Sequence, residues 1–357
     1  MRRRTLVTGT LSAAAAAFVV TGAGSPAQAE ERSVSNGRKP KHRVQIVGHR
    51  GSCGYRPEHT LESYRLAIRQ GVDIIEPDLV PTSDGVLVAR HEPEIGGTTD
   101  VSSRPEFLDR RTTKVIDGLN VTGWFTTDFT LAELKTLRAK ERLPQLRPAN
   151  TAYDGLWEVP TFDEIVALLL AERRRTGRHI GMYPETKHPS YFRSIGLPLE
   201  DTLVRTLRRN RLDGKKSGVL LQSFEQDSLR RLKAKVGNRL HWATETTPTA
   251  AVLDAYAELG HGINFTKNLI IPRDAAGNLT TPTTVVAEAK ARGLTVHAWT
   301  FRSENNFLPT NLRVGTDPAA WGDFRAEYDA FLATGIDGLF TDFPDKAIEA
   351  RDAACED

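Results

Sequence analysis

Eight short runs of apolar residues recur along the chain, most of them followed by a segment with helical spacing, and few folds accommodate that alternation. The runs fall at 44–47, 72–78, 180–187, 218–222, 239–243, 262–265, 294–299 and 336–341. Between them, apolar residues return every three or four positions. Leu61, Tyr64, Ala67 and Ile68 share one face, as do Phe162, Ile165, Val166 and Leu169. Further helical stretches are read at 199–209, 225–234, 250–259, 283–291, 326–333 and 345–351. A strand, a crossover helix and a second strand make the two strands parallel. Eight such units are the number that closes a (β/α)8 TIM barrel. A doubly wound open sheet would use fewer strands, and no glycine-rich dinucleotide turn is visible. At 357 residues the chain is long enough for one such α/β domain with a full core.

The alternation breaks once, at about 92–150, a stretch with little periodicity. So long an irregular excursion in an ordered α/β chain is read as a functional segment or a small subdomain inserted after the second strand. Within it, Thr130 and Glu133 have capping-box spacing and predict a helix to about residue 140. Trp124, Phe125 and Phe129 suit either a substrate mouth or the insertion's own core. Before the barrel, at 43–354, come two other segments. Arg2-Arg3-Arg4, an alanine-rich apolar run at 6–20 and Ala27-Gln28-Ala29 make residues 1–29 an export leader, too short in its apolar part for a stable membrane anchor. Arg3-Arg4 suggests the twin-arginine route, hence a secreted or cell-envelope protein. Residues 30–42 are polar and read as a linker.

Cleavage after Ala29 removes three arginines and no acid, so 48 basic residues become 45 against 45 acidic ones. The mature chain is neutral, and its charge gives no ground for a nucleic-acid partner. Cys53 follows the first strand while Cys355 follows the last helix, at opposite ends of a barrel, so two free thiols are expected.

The chemistry concentrates at strand ends, where a barrel builds its active site. His49 and Arg50 end the first run, Glu76 and Asp78 the second, Glu185 and Lys187 the third, Gln222 the fourth, Trp299 the seventh and Asp342 the eighth. Asp84-Gly85 reads as a two-residue hairpin turn pairing Ser83 with Val86, a register that sets Asp78 opposite His91. Glu76, Asp78 and Glu185 would repel one another without a counter-ion. Their all-oxygen set suits one hard divalent cation, Ca²⁺ ahead of Mg²⁺. His49 and His91 titrate near neutrality and suit an acid and a base. Arg50 and Lys187 suit the anionic oxygens of a phosphodiester. Six of the other seven histidines, His59 and His188 among them, are read as structural or surface, and His42 falls in the linker.

These residues sit in Gly48-His49-Arg50-Gly51, Pro57-Glu58, Glu76-Pro77-Asp78, Pro184-Glu185-Thr186-Lys187, Leu221-Gln222-Ser223-Phe224, His297-Ala298-Trp299-Thr300 and Gly338-Leu339-Phe340-Thr341-Asp342. In their order and spacing the chain resembles the exported, periplasmic-type glycerophosphodiester phosphodiesterases over nearly all its mature length. The resemblance implies a TIM barrel that hydrolyses small glycerophosphodiesters to sn-glycerol 3-phosphate and an alcohol. It further implies catalytic His49 and His91, metal ligands Glu76, Asp78 and Glu185, phosphate contacts from Arg50 and Lys187, and attack by the substrate's own neighbouring hydroxyl. Two positions depart from the family's usual residues, His59 in place of Asn and Glu92 in place of Asp. A barrel phospholipase or lyase acting on intact lipid, an exported teichoic-acid phosphodiesterase and a binding protein without turnover are the alternatives.

Overall fold

The computed structural model describes residues 43–356. The leader and the linker expected over 1–42, and the side chain of Cys355, lie outside the described residues. Cys53 is a buried free thiol.

Eight parallel staves form the centre of the fold. The first is β1 (Gln45–Gly48). The second comes in two pieces, β2 (Ile74–Ile75) and β3 (Asp78–Pro81), with Glu76 and Pro77 between them. β4 (Leu87–Ala89) returns antiparallel beside β3, and β5 (Thr112–Ile116) and β6 (Leu119–Gly123) make a separate hairpin. The third stave is split into β7 (Gly181–Met182) and β8 (Glu185–Thr186) at Tyr183 and Pro184. Then follow β9 (Leu220–Ser223), β10 (Arg239–Thr244), β11 (Gly262–Thr266), β12 (Thr295–Phe301) and β13 (Gly338–Thr341).

Both breaks fall at a proline, which has no N–H to offer the ladder. β2 lies between β1 and β7, while β3 lies between β4 and β8. Met182 bridges to Val219 and β8 joins β9. The ladder continues through β10, β11, β12 and β13 back to β1. The staves therefore close into the TIM barrel that the alternation predicts.

The hairpin register differs by one residue from the expectation. Leu79, Val80 and Pro81 face Ala89, Val88 and Leu87, so Arg90, not His91, lies opposite Asp78. The turn holds three residues, Ser83, Asp84 and Gly85, because Thr82 closes it from below: its N–H donates to Val86 O at 2.9 Å and its Oγ1 accepts from Val86 N–H at 3.0 Å. Gly85 takes the left-handed conformation, φ 76°, that a three-residue hairpin needs. The slip carries His91 past the end of the ladder.

Helices begin where the sequence offers caps. Thr60, Thr161 and Thr249 each accept from the N–H three residues on. Thr130 and Glu133 form a full capping box, but the helix they open, Leu131–Leu134, is a single turn rather than a run to about residue 140. Ala139 is drawn into an extended bridge with Thr99, and its N–H donates to Trp157 O at 2.7 Å, which straightens the chain.

Along β1, Ile46 packs outward among the helices while Val47 turns into the barrel axis with Ile74, Tyr183 and Phe340. Trp124, Phe125 and Phe129 take the packing role: all three are buried, Trp124 Nε1 donates to Phe107 O at 2.7 Å, and Phe107 meets Phe129 edge to face at 5.0 Å.

Candidate active site

A cavity of about 670 Å³ opens at the C-terminal ends of the staves, and every site residue singled out from the sequence except Asp342 lines it. Parallel register gathers the acids. Asp78 stands beside Glu185 and Glu185 beside Gln222, and register partners on parallel strands point the same way. Glu76, in the break of the second stave, accepts Arg50 N–H at 2.9 Å on Oε2 and Gln222 Nε2 at 2.9 Å on Oε1. One oxygen from each of Glu76, Asp78 and Glu185 lies within 4.8 Å of the other two.

The charges there are incompletely balanced. Lys187 Nζ is 2.8 Å from Glu185 Oε1, but Asp78 Oδ1 is buried without a hydrogen-bond partner. Burial, then the charges of Asp78 and Glu185, pushes the Glu76 carboxyl well above the usual carboxylate range. Burial raises Glu185 to about 7, with Lys187 pulling against it and Asp78 adding to it. Asp78 is held low in spite of burial by Lys187 and His59. An orphaned oxygen beside two carboxylates that favour a proton is the donor set of a hard divalent cation, which fits these residues.

The acids are braced from behind. Gln222 is buried and spends its amide on two neighbours, donating to Glu76 and accepting from Asn264 Nδ2 at 2.7 Å. His59, read from the sequence as structural, is fully buried and bonds Asp78 Oδ2 at 3.0 Å and Tyr64 Oη at 2.7 Å. It thus supports an acid of the cluster. Arg50 adopts a left-handed conformation at φ 55° before Gly51 at φ 90°. A Cβ at Gly51 would stand 2.4 Å from Ser63 Oγ, so only glycine lets this turn press against the first helix, Leu61–Gln70.

Each imidazole is held at Nδ1 by a carboxylate. His49 Nδ1–H donates to Asp342 Oδ1 at 2.5 Å. His91 Nδ1–H donates to Glu92 Oε1 at 2.5 Å, while its Nε2 accepts from Lys187 Nζ at 3.2 Å. Those bonds fix the tautomer and leave Nε2 as the proton-accepting atom. Trp299 Nε1 donates to Asn264 O at 3.1 Å, and its ring meets the rim residue Phe224 edge to face at 5.6 Å.

Burial, then Arg50, lowers His49 to about 4 from 6.5 despite Asp342. Asp342 is shared: its Oδ2 also takes Arg147 at 2.6 Å and Arg302 at 2.9 Å, so much of its charge is already compensated. An unfolded chain binds this proton first as pH falls below 6.5. The folded state therefore has the full benefit of a neutral His49 above 6.5 and loses stability as pH falls from there to about 4. The loss from this group is about 3 kcal/mol. Urea unfolding at pH 7 and pH 4 should show that much more loss in the wild type than in His49→Gln; equal losses would remove His49 as the cause.

The sequence placed Asp342 at the end of the eighth run without a role and signalled Glu58 only as a member of a motif, and it gave no sign that Arg142 or Arg147 reaches this cavity's surroundings. Both come from the aperiodic stretch, where no spacing rule points a side chain.

A family model described as the glycerophosphoryl diester phosphodiesterase family matches residues 49–346. A glycerophosphodiester phosphodiesterase of Arabidopsis thaliana is 36% identical over 83% of this chain and 83% of its own. One of Haemophilus influenzae is 26% identical over 85% of this chain and 88% of its own. Among solved structures, a phosphodiesterase of Oleispira antarctica in complex with the product sn-glycerol-3-phosphate superposes with a TM-score of 0.61 at 21% identity, covering 87% of this chain and 97% of that one.

Proposed function

The chain belongs to the glycerophosphoryl diester phosphodiesterase family and is therefore a hydrolase of glycerophosphodiesters, releasing glycerol 3-phosphate; we propose that His49 and His91 serve it as acid and base beside a divalent cation held by Glu76, Asp78 and Glu185. The observation that carries this reading is the meeting, in one cavity, of three converging carboxylates and two imidazoles each held at Nδ1.

A phosphodiester resists hydrolysis because its anionic oxygens repel a nucleophile and its alkoxide leaves badly. When bound, the cation supplies positive charge to those oxygens. Arg50, tied by Nη1 to Glu58 at 3.0 Å, and Lys187 add the protein's own. Against burial, which lowers it, Glu185 and Asp78 keep the Lys187 ammonium charged. An anionic substrate favours protonation of one imidazole. The neutral imidazole takes the proton of the glycerol hydroxyl next to the phosphate, and the oxygen attacks phosphorus. The protonated imidazole gives its proton to the departing alcohol. Water then opens the cyclic phosphate with the two roles reversed. An adjacent hydroxyl has a high effective molarity, which favours this route over direct attack by water. Trp299 and Phe224 offer an apolar wall to the glycerol carbons, and Gln222 steadies Glu76.

Ca²⁺ is the preferred ion, with Mg²⁺ second, because a carboxylate cage suits the larger ion's more numerous oxygen ligands. We place the enzyme outside the cytoplasm on the strength of the leader residues, Arg3-Arg4 and Ala27-Gln28-Ala29, and treat 92–150 as a subdomain set into a barrel over 43–354. A reading toward intact lipid needs an apolar mouth. Trp124, Phe125 and Phe129 are buried, though the hairpin of β5 and β6, whose Asp117 lines the cavity, exposes Val115 and Leu119. No helix among the described residues is long and apolar enough to cross a membrane.

The test is glycerol 3-phosphate release from glycerophosphocholine by the chain from residue 30 onward, after chelation and again with Ca²⁺ or Mg²⁺ restored. Activity should fall at least about 100-fold on chelation and return with the ion. Full activity in chelator would sink the cation site. Inactivity with both ions would redirect the search to lipid and glycerol phosphate polymers as substrates.

A further inference from the structure

Two arginines of one loop reach toward both imidazoles. Arg142 grips Glu58 with a fork, Nε to Oε2 at 2.6 Å and Nη2 to Oε1 at 2.7 Å. Its Nη2 also donates to Glu92, the carboxylate on His91 Nδ1. Glu58 in turn holds Arg50. Arg147 donates from Nη2 to Asp342 Oδ2 at 2.6 Å, and Asp342 is the carboxylate on His49 Nδ1. From Nε it donates to Glu304 at 2.6 Å. Each imidazole is thus one carboxylate away from an arginine of the same short segment.

The segment is built to hold those arginines still. Glu141 accepts Leu143 N–H at 2.8 Å on one oxygen and Asn150 Nδ2 at 2.9 Å on the other. The N–H groups of Leu146 and Arg147 both close on Leu143 O, at 2.9 and 2.8 Å, and Glu141 N–H donates to Asp154 at 2.7 Å. Glu141 and Arg147 are buried. Without Arg142, Glu58 and Glu92 face each other as like charges, and Glu92 loses the cation that orients it toward His91. Without Arg147, Asp342 keeps Arg302 alone and is free to turn from His49. A carboxylate that turns away no longer fixes the tautomer or the tilt of its imidazole.

We propose that Arg142 and Arg147 are positioning residues, and that the loop from Glu141 to Arg147 is a clamp which sets both imidazoles, and through Glu58 also Arg50, for the reaction. The barrel supplies the strand ends; the loop supplies their mutual alignment. This rests on His49 and His91 being the acid and base.

Arg142→Met, Arg147→Met and the corresponding lysine variants are compared with His49→Ala and His91→Ala in steady-state kinetics on glycerophosphocholine with Ca²⁺. Calorimetric Ca²⁺ affinity and melting temperature are measured alongside. Arg147→Met should lose about 10- to 100-fold in kcat with KM and Ca²⁺ affinity within about twofold. Arg142→Met should lose a similar factor in kcat and also raise KM, because Glu58 loses the fork that fixes it and no longer holds Arg50 in one place. Arg147→Lys should recover part of the loss, since an ammonium replaces the charge but not the fork. The downfield His49 Nδ1 proton in an NMR spectrum should disappear in Arg147→Met and return in Arg147→Lys. Methionine variants with kcat within twofold of wild type, beside inactive histidine variants, would overturn the clamp. So would a loss of Ca²⁺ affinity parallel to the loss of kcat. Should a methionine variant fail to fold, wild-type kcat in the lysine variants overturns it and a reduced kcat with intact Ca²⁺ affinity supports it. Active histidine variants would instead overturn the acid/base reading itself.

Discussion

His49→Ala and His91→Ala should each lower kcat by about 10² to 10⁴-fold, the usual contribution of a positioned acid or base. Neither ring is central to the core. His49 gives up one bond to Asp342, which keeps Arg147 and Arg302, and His91 stands past the end of β4 with about a third of its side chain in solvent. Melting temperature and Ca²⁺ affinity should therefore stay near those of the wild type, so that the loss is one of chemistry. A substrate whose alcohol is a nitrophenol divides the two roles, because a nitrophenolate leaves without being protonated. The variant that lacks the acid should regain most of its rate on that substrate, and the variant that lacks the base should not. Near-wild-type turnover of glycerophosphocholine by either variant would remove that histidine from the mechanism.

Glu76→Gln should separate binding of the ion from stability of the protein. The amide keeps the shape of the side chain and removes its charge, leaving Arg50 N–H and Gln222 Nε2 to compete for a single oxygen. Loss of a direct ligand should weaken Ca²⁺ binding at least about 100-fold, more than loss of an outer-shell partner does. Activity at sub-saturating Ca²⁺ should fall with it. Stability should move the other way under chelation. Burial and the charges of Asp78 and Glu185 disfavour an ionised Glu76, so without an ion the variant should be as stable as the wild type or more so. At a Ca²⁺ concentration of 100 times its dissociation constant the wild type gains about 2.7 kcal/mol and the variant little. Thermal melts in chelator and in Ca²⁺ give both arms. An unchanged Ca²⁺ response in Glu76→Gln would remove it from the cation site.

Much of this was legible beforehand for a definite reason. Strand and helix propensities, cap spacing and the arrival of polar residues at strand ends are local properties, and they located His49, Glu76, Asp78, Glu185 and Gln222 on the lining of one cavity. The misplacements have local causes too. The hairpin slipped by one residue because Thr82 closes a three-residue turn, and the helix after Thr130 stopped early because Ala139 is held in an extended bridge. Neither effect is visible in a dipeptide or a capping box alone. The two departures from the family's residues also acquire roles, Glu92 on His91 and His59 on Asp78.

By itself, then, the sequence determined the barrel, the end of it that carries the chemistry and the residue types gathered there, because side-chain alternation and backbone hydrogen bonding act over a few residues. Only the tertiary structure decided which group holds which. Asp342 reaches His49 across 293 residues of chain, and Arg147 reaches Asp342 across 195. Such pairings depend on barrel closure and on the path of an aperiodic loop, and no local spacing encodes either.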